Sequence, residues 1–175
     1  MCFALFLLFV LLLRLGELLL ARRNGRWLRQ HGAVEYGRGH YPQMVALHTL
    51  FFLWLVAEYL STPVRGCSVP LLMLYLGLLA FKAWAVLSLG HYWNTRIYRI
   101  PGAKLVCKGP YRFLRHPNYL AVAGEIFLIP MIFHLYATAV VFTLLDAWML
   151  RVRIAAENRV LDERTGREKT GIPVL

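Results

Sequence analysis

The chain has 175 residues, enough for one domain, and is 59% hydrophobic with a formal net charge of +11. A soluble domain is nearer half apolar, so this composition asks for lipid. The basic residues stand in short blocks between apolar runs, which is a membrane-topology pattern and excludes a nucleic-acid footprint. The three cysteines, Cys2, Cys67 and Cys107, are too scattered for a disulfide framework or a zinc site.

Residues 2–21 are apolar apart from Arg14 and Glu17. About 20 such residues span a bilayer core, so a retained first membrane helix is expected, with no cleavable leader before Arg22. Arg14 and Glu17 are at i,i+3 and pair on one face. Residues 22–42 form a first basic loop, carrying Arg22, Arg23, Arg26, Arg29 and Arg38, broken by Gly32, Gly37, Gly39 and Pro42. Its glycines do not make a dinucleotide fingerprint. Helix two is expected over 43–60, with His48 and Glu58, and a short turn over 61–70 carries Arg65. Helix three follows over 69–90, where Lys82 either snorkels or meets a neighbouring acid.

Residues 91–116 are a second basic segment with Arg96, Arg99, Lys104, Lys108, Arg112 and Arg115, and Tyr92, Trp93 and Tyr98 suit the headgroup level. Helix four is expected over 117–135 with Glu125 inside it, and His134 and Tyr136 mark an uncharged turn. Helix five is expected over 137–165, stopped by Gly166, Gly171 and Pro173. The fold class is therefore all-α: an integral membrane bundle of about five spans in one domain over 1–175. Residues 1–90 would supply the N-terminal spans and 91–165 the second basic segment and the last helical hairpin. The segments 22–42, 91–116 and 151–175 hold 17 of the 20 basic residues. The positive-inside rule then puts the N-terminus outside and the C-terminus in the cytosol.

The densest polar stretch is Lys108-Gly-Pro-Tyr-Arg-Phe-Leu-Arg-His-Pro-Asn-Tyr119, at the start of helix four. On helix five, Asp146, Arg153 and Glu157 are spaced by seven and four residues, which keeps them roughly on one face. A short connection makes helices four and five an antiparallel hairpin. That hairpin sets Tyr111, Arg115, His116 and Tyr119 against Arg153, Glu157 and Asn158 at the cytosolic boundary. Taken singly, each residue has a plain reading: a solvated Arg–Glu pair, an interfacial histidine, a Gly-Pro turn. Together they line a pocket open to water on one side and to lipid on the other. No GxSxG or HExxH occurs and the histidines make no i,i+4 metal pair, so neither hydrolase nor metal chemistry is implied.

Gly109-Pro-Tyr-Arg-Phe-Leu-Arg-His-Pro-Asn-Tyr119, followed by Arg153-Ile-Ala-Ala-Glu157-Asn158 and Leu161, resembles the isoprenylcysteine carboxyl methyltransferase family over about residues 85–161. The resemblance implies an integral membrane O-methyltransferase using S-adenosylmethionine. By position, Lys108, Gly109, Pro110, Tyr111, His116, Tyr119 and Glu157 would contact the cofactor, joined by Arg115 and Asn158 from the same boundary. Arg153 would face the methyl acceptor. The family's second glutamate is Asn158 here, and its aromatic-Gly-x-x-Tyr tail is replaced by Arg164-Thr-Gly-Arg, which leaves acceptor preference open. The N-terminal part resembles a bacterial branch linked to alkylpyrone-type polyketide lipids, which implies the bacterial inner membrane. The implied partners are membrane lipid and a lipophilic acceptor, methylated on a carboxylate or a hydroxyl oxygen. The chemistry suits the residues: in-line displacement from a sulfonium needs alignment and water exclusion above acid–base groups. Two alternatives share the Arg-His-Pro-Asn-Tyr signature or the composition: an NADPH-dependent membrane sterol-type reductase, and a non-enzymatic membrane binding protein.

Overall fold

A computed structural model describes residues 2–63, 66–103 and 106–162. Arg65, Lys104, the segment from Arg164 to Arg167, and the stops at Gly166, Gly171 and Pro173 lie outside the described residues, as does the side chain of Leu161. Five α-helices dominate: α1 Cys2–Gln30, α2 Tyr41–Ser61, α3 Val69–Leu89, α4 Pro117–Ile132 and α5 Tyr136–Asp162. The helices over Cys2–Gln30, Arg38–Ser61 and Val69–Tyr92 are long and apolar enough to cross a membrane, and α4 is a shorter apolar helix. The protein is an all-α integral membrane bundle. Its outer surface is greasy, with Leu5, Leu8, Leu12, Leu53, Leu87 and Leu144 all exposed. On a protein in water such a surface would mark an interaction site; here it faces lipid.

Two elements differ from the sequence expectation. The first helix runs nine residues past Ala21, through the basic block. Its ladder continues because buried residues hold it beyond the apolar span. Asn24 Nδ2 donates to the carbonyls of Gly90 (3.1 Å) and Trp93 (2.8 Å), and Asn94 Nδ2 donates to the Ala21 carbonyl (2.7 Å). The two basic loops also contain strands, β1 Val34–Tyr36 and β2 Ile97–Arg99. These pair antiparallel with Val34 opposite Arg99 and Tyr36 opposite Ile97. Arg96 Nη1 on Glu35 Oε1 (2.5 Å) and the Arg96 guanidinium over the Tyr41 ring (4.0 Å) tie this small ribbon to α2.

The ribbon, the C-terminal end of α1, the loop before α4 and the start of α4 gather at one end of the bundle. The opposite end is closed by short connections. Ser68 N–H donates to the Ile132 carbonyl (2.9 Å). Glu58 of α2 accepts the free N–H groups of Ala137 (3.0 Å) and Thr138 (2.7 Å) and the Thr138 hydroxyl, so it caps α5 from a neighbouring helix. Between α4 and α5 the turn passes through His134 at φ 58°, a conformation that histidine tolerates better than most side chains.

Lipid is as apolar as leucine, so packing rather than water exclusion holds such a bundle. Aromatic rings supply much of it: Phe3 stacks on Tyr59 at 3.7 Å and meets Phe133 edge-on at 5.0 Å. At mid-depth lies a charge quartet. Arg14 contacts Glu17 (2.8 Å) and Glu125 (2.6 Å), and Lys82 contacts Glu125 (2.9 Å) and Glu17. The pairing expected of Arg14 with Glu17, and of Lys82 with an acid, is thus one network joining α1, α3 and α4.

Candidate active site

The loop before α4 is shaped by its own residues. Gly109 holds φ +56°, a region that glycine enters without steric cost. A Cβ there would lie 2.0 Å from Ser88 Oγ, so the glycine lets the loop close onto α3. Pro110 and Tyr111 follow in a short 3₁₀ turn over Gly109–Arg112. Pro117 then starts α4 at its first helical position, where the missing N–H costs nothing. His116 and Tyr119 project from this helix start, and their rings stack at 5.2 Å with planes 16° apart.

Across the hairpin, α5 supplies Arg153 and Glu157. They do not form the solvated i,i+4 pair of the plain reading. Both bind the Tyr119 hydroxyl instead: it donates to Glu157 Oε2 (2.6 Å) and accepts from Arg153 Nε (2.9 Å). The other Arg153 nitrogens reach Met44 Sδ and the Thr95 carbonyl. Arg153 is buried, and every one of its nitrogens is engaged. His116 Nδ1 lies 3.6 Å from Glu157 Oε2, while His116 Nε2 is buried with no partner among the described residues. Burial, and then the Glu157 charge, push the Tyr111 phenol above its ordinary value, so it stays a neutral donor.

Two cavities meet here. A polar one of about 100 Å³ is lined by Tyr111, Arg115, His116, Tyr119, Arg153 and Glu157, together with Tyr92, Asn94, Arg96 and Tyr98 from the β2 region. A second, of about 260 Å³, runs into the bundle past Met44, Val45, Phe52, Val122, Met149 and Leu150 and reaches the charge quartet and Asp146. Trp93, Asn118, Tyr119 and Arg153 line both and form the wall between them. Trp93 Nε1 donates to Asn118 Oδ1 (3.2 Å), which stiffens that wall.

Of the residues singled out in the sequence, Tyr111, Arg115, His116, Tyr119, Arg153 and Glu157 come together at the polar cavity. Lys108 is exposed, and Lys108, Gly109, Pro110 and Asn158 are outside its lining. Pro110 is buried beneath the loop, and Asn158 Oδ1 is buried without a partner among the described residues. Sequence reasoning did not place Trp93, Asn94, Arg96 and Asn118 at the site. Asn118 sits inside the Arg-His-Pro-Asn-Tyr motif. Trp93 and Asn94 arrive through long-range hydrogen bonds to α4 and α1 that no local pattern announces.

Comparison with known proteins gives the chain's family. The family model described as the isoprenylcysteine carboxyl methyltransferase (ICMT) family matches residues 71–163, which includes α4, all of α5 and the loop before them. The chain is similar to the uncharacterized protein YpbQ of Bacillus subtilis, with 41% identity covering 86% of this chain and 90% of the relative. It is more distantly similar to an uncharacterized protein of Haemophilus influenzae, at 23% identity over 87% of this chain and 90% of that protein. No solved structure matches it significantly. The chain belongs to the isoprenylcysteine carboxyl methyltransferase family, which makes it a membrane methyltransferase.

Proposed function

We propose that the protein is an O-methyltransferase that moves a methyl group from S-adenosylmethionine to a carboxylate or hydroxyl oxygen of a lipophilic acceptor, isoprenylcysteine-like or alkylpyrone-like. The observation that carries this reading is the pair of cavities, one polar and one largely apolar, sharing the wall of Trp93, Asn118, Tyr119 and Arg153. Such a wall is where a water-soluble donor and a greasy acceptor would meet. Family members use S-adenosylmethionine and act on lipidated substrates in membranes.

The residues present fit the charged end of that cofactor. Glu157 offers a carboxylate to an ammonium or to ribose hydroxyls, and the buried, unpartnered His116 Nε2 offers one more polar contact. Tyr92, Trp93 and Tyr111 supply aromatic faces for an adenine or a sulfonium cation. When bound, S-adenosylmethionine supplies a methyl group on a positively charged sulfur. The protein's task is then alignment. Tyr119, held from both sides by Arg153 and Glu157, fixes the spacing between cofactor and acceptor. Arg153 puts positive charge where an acceptor oxygen approaches, favouring its anionic form. The tight wall keeps water from competing for the methyl group.

The distribution of 17 of 20 basic residues to three segments supports an N-terminus outside and a C-terminus in the cytosol, with five spans. The bacterial sources of both relatives support an inner-membrane location. A thermal-shift series on detergent-purified protein tests the class. S-adenosylhomocysteine should raise the melting temperature and NADPH should not. Stabilisation by NADPH alone would turn the assignment to a reductase, and stabilisation by neither would remove both enzyme readings.

A further inference from the structure

The apolar cavity has a feature that methyl transfer at its upper wall leaves unused. Asp146 of α5 is 2% exposed, lines the cavity, and has Oδ2 without a hydrogen-bond partner among the described residues. It lies seven residues from Arg153, about 10 Å deeper along the helix. A buried acceptor left without a donor costs free energy on the order of 1–3 kcal/mol. The nearby cations do not relieve it. Arg14 and Lys82 are held by Glu17 and Glu125, and the Arg153 nitrogens by Tyr119, Met44 and Thr95.

A second group points the same way. His48 lines the same cavity, and its Nδ1 lies 2.8 Å from the Met44 carbonyl. A carbonyl only accepts, so Nδ1 carries the proton and a neutral His48 has Nε2 as a further acceptor. Arg14 and Lys82 balance Glu17 and Glu125, and Arg153 stands between Asp146 and Glu157, so no cation is left over to hold a carboxylate at that depth. Around Asp146 the cavity thus offers acceptors, and the cations near it are already engaged.

We propose that Asp146 is the specificity-determining group of this cavity: it receives a neutral hydroxyl on the body of the lipid acceptor, some two helical turns from the reacting oxygen, and disfavours a carboxylate at that depth. This deepens the methyltransferase reading and rests on it for the word acceptor, but the binding claim stands on the cavity alone.

The test is a thermal-shift comparison in detergent with four lipids of one chain length: hexadecanol, palmitate, hexadecylamine and hexadecane. Wild type, Asp146→Asn and Asp146→Leu are each run with and without S-adenosylhomocysteine. Hexadecanol should raise the wild-type melting temperature by roughly 3 °C near ten times its Kd, and hexadecylamine and hexadecane by less; palmitate is read only by its change on Asp146→Asn, because its carboxylate can also meet Arg153. Asp146→Asn keeps an acceptor oxygen and should keep the hexadecanol shift while gaining one with palmitate. Asp146→Leu should lose the hexadecanol shift. If hexadecylamine or hexadecane stabilises wild type as much as hexadecanol does, if hexadecanol has no effect on wild type, or if it stabilises Asp146→Leu equally, the proposal is wrong. The ranking of lipids on wild type decides even where a variant folds poorly. The arm with S-adenosylhomocysteine reports separately: no shift there, with the hexadecanol pattern intact, would overturn the methyltransferase reading and leave a hydroxyl-lipid site.

Discussion

Two polar clusters are built into this bundle, and they differ in how completely they are satisfied. In the mid-membrane quartet, each of Arg14, Glu17, Lys82 and Glu125 contacts two groups of opposite charge. Nothing is left over for a ligand. At the end of the bundle, Glu157 and Arg153 share one tyrosine hydroxyl, while His116 Nε2 and Asn158 Oδ1 are buried without partners among the described residues. Buried charge in a membrane is expensive in either place. The closed cluster spends it on joining three helices, and the open one leaves it directed at a cavity. Saturation, more than burial or charge, separates scaffold from site here.

The largest effect should come from opening the closed cluster. Glu125→Leu leaves Arg14 and Lys82 to share Glu17, and removing one partner of a buried ionic group costs about 3–5 kcal/mol. Thermal unfolding in detergent should show a large drop in melting temperature. The double change Glu125→Leu with Lys82→Met restores charge balance and should recover much of it. An unchanged melting temperature for the single variant would erase the contrast with the site.

Next in size, Tyr119→Phe removes the hydroxyl that Arg153 and Glu157 share. Methyl transfer should fall about a hundredfold, or roughly 2.7 kcal/mol of transition-state stabilisation, while the melting temperature moves little. An equal fall in stability and activity would make Tyr119 scaffold. Gly109→Ala should cost roughly 1–2 kcal/mol from the left-handed backbone alone, with the contact to Ser88 added, and should loosen the loop over α3. Here stability and cofactor affinity should fall together.

The smallest effect lies in the β ribbon. Burial alone would raise the Glu35 pKa, but the Arg96 hydrogen bond, the Arg96 and Arg38 charges and the Tyr98 hydroxyl hold it below its usual value. The folded value is the depressed one, so the stabilisation is present above the unfolded value near pH 4–5 and fades as pH falls through the folded value. Glu35 in the ribbon meets the half-exposed Arg96, so less than about 1 kcal/mol is at stake. Glu35→Gln should flatten the acid end of the stability profile and leave neutral pH almost unchanged.

The helical frame was readable because each span carries its own apolar run. The observed bounds of α2 and α3 lie within a residue or two of those expected from composition. The Asp146, Arg153 and Glu157 spacing also read correctly as one face: Asp146 and Arg153 line the apolar cavity, and Arg153 and Glu157 the polar one. Where the first helix ends was misjudged because hydropathy marks where lipid stops, while Asn24 and Asn94 carry the helix on by hydrogen bonds formed some seventy residues apart. The strands escaped notice because three residues carry too little periodicity, and their stability comes from pairing with each other and from Arg96. Trp93 and Asn94 reach the site by the same long-range route, so no motif could place them.

The central claim is that Glu157 and its neighbours bind S-adenosylmethionine. Isothermal titration of S-adenosylhomocysteine into detergent-purified wild type, beside Glu157→Ala, tests it most directly. Micromolar binding by wild type, lost at least tenfold in a variant that melts at the wild-type temperature, is the predicted result. Equal binding by both proteins, or none by a folded wild type, would contradict it.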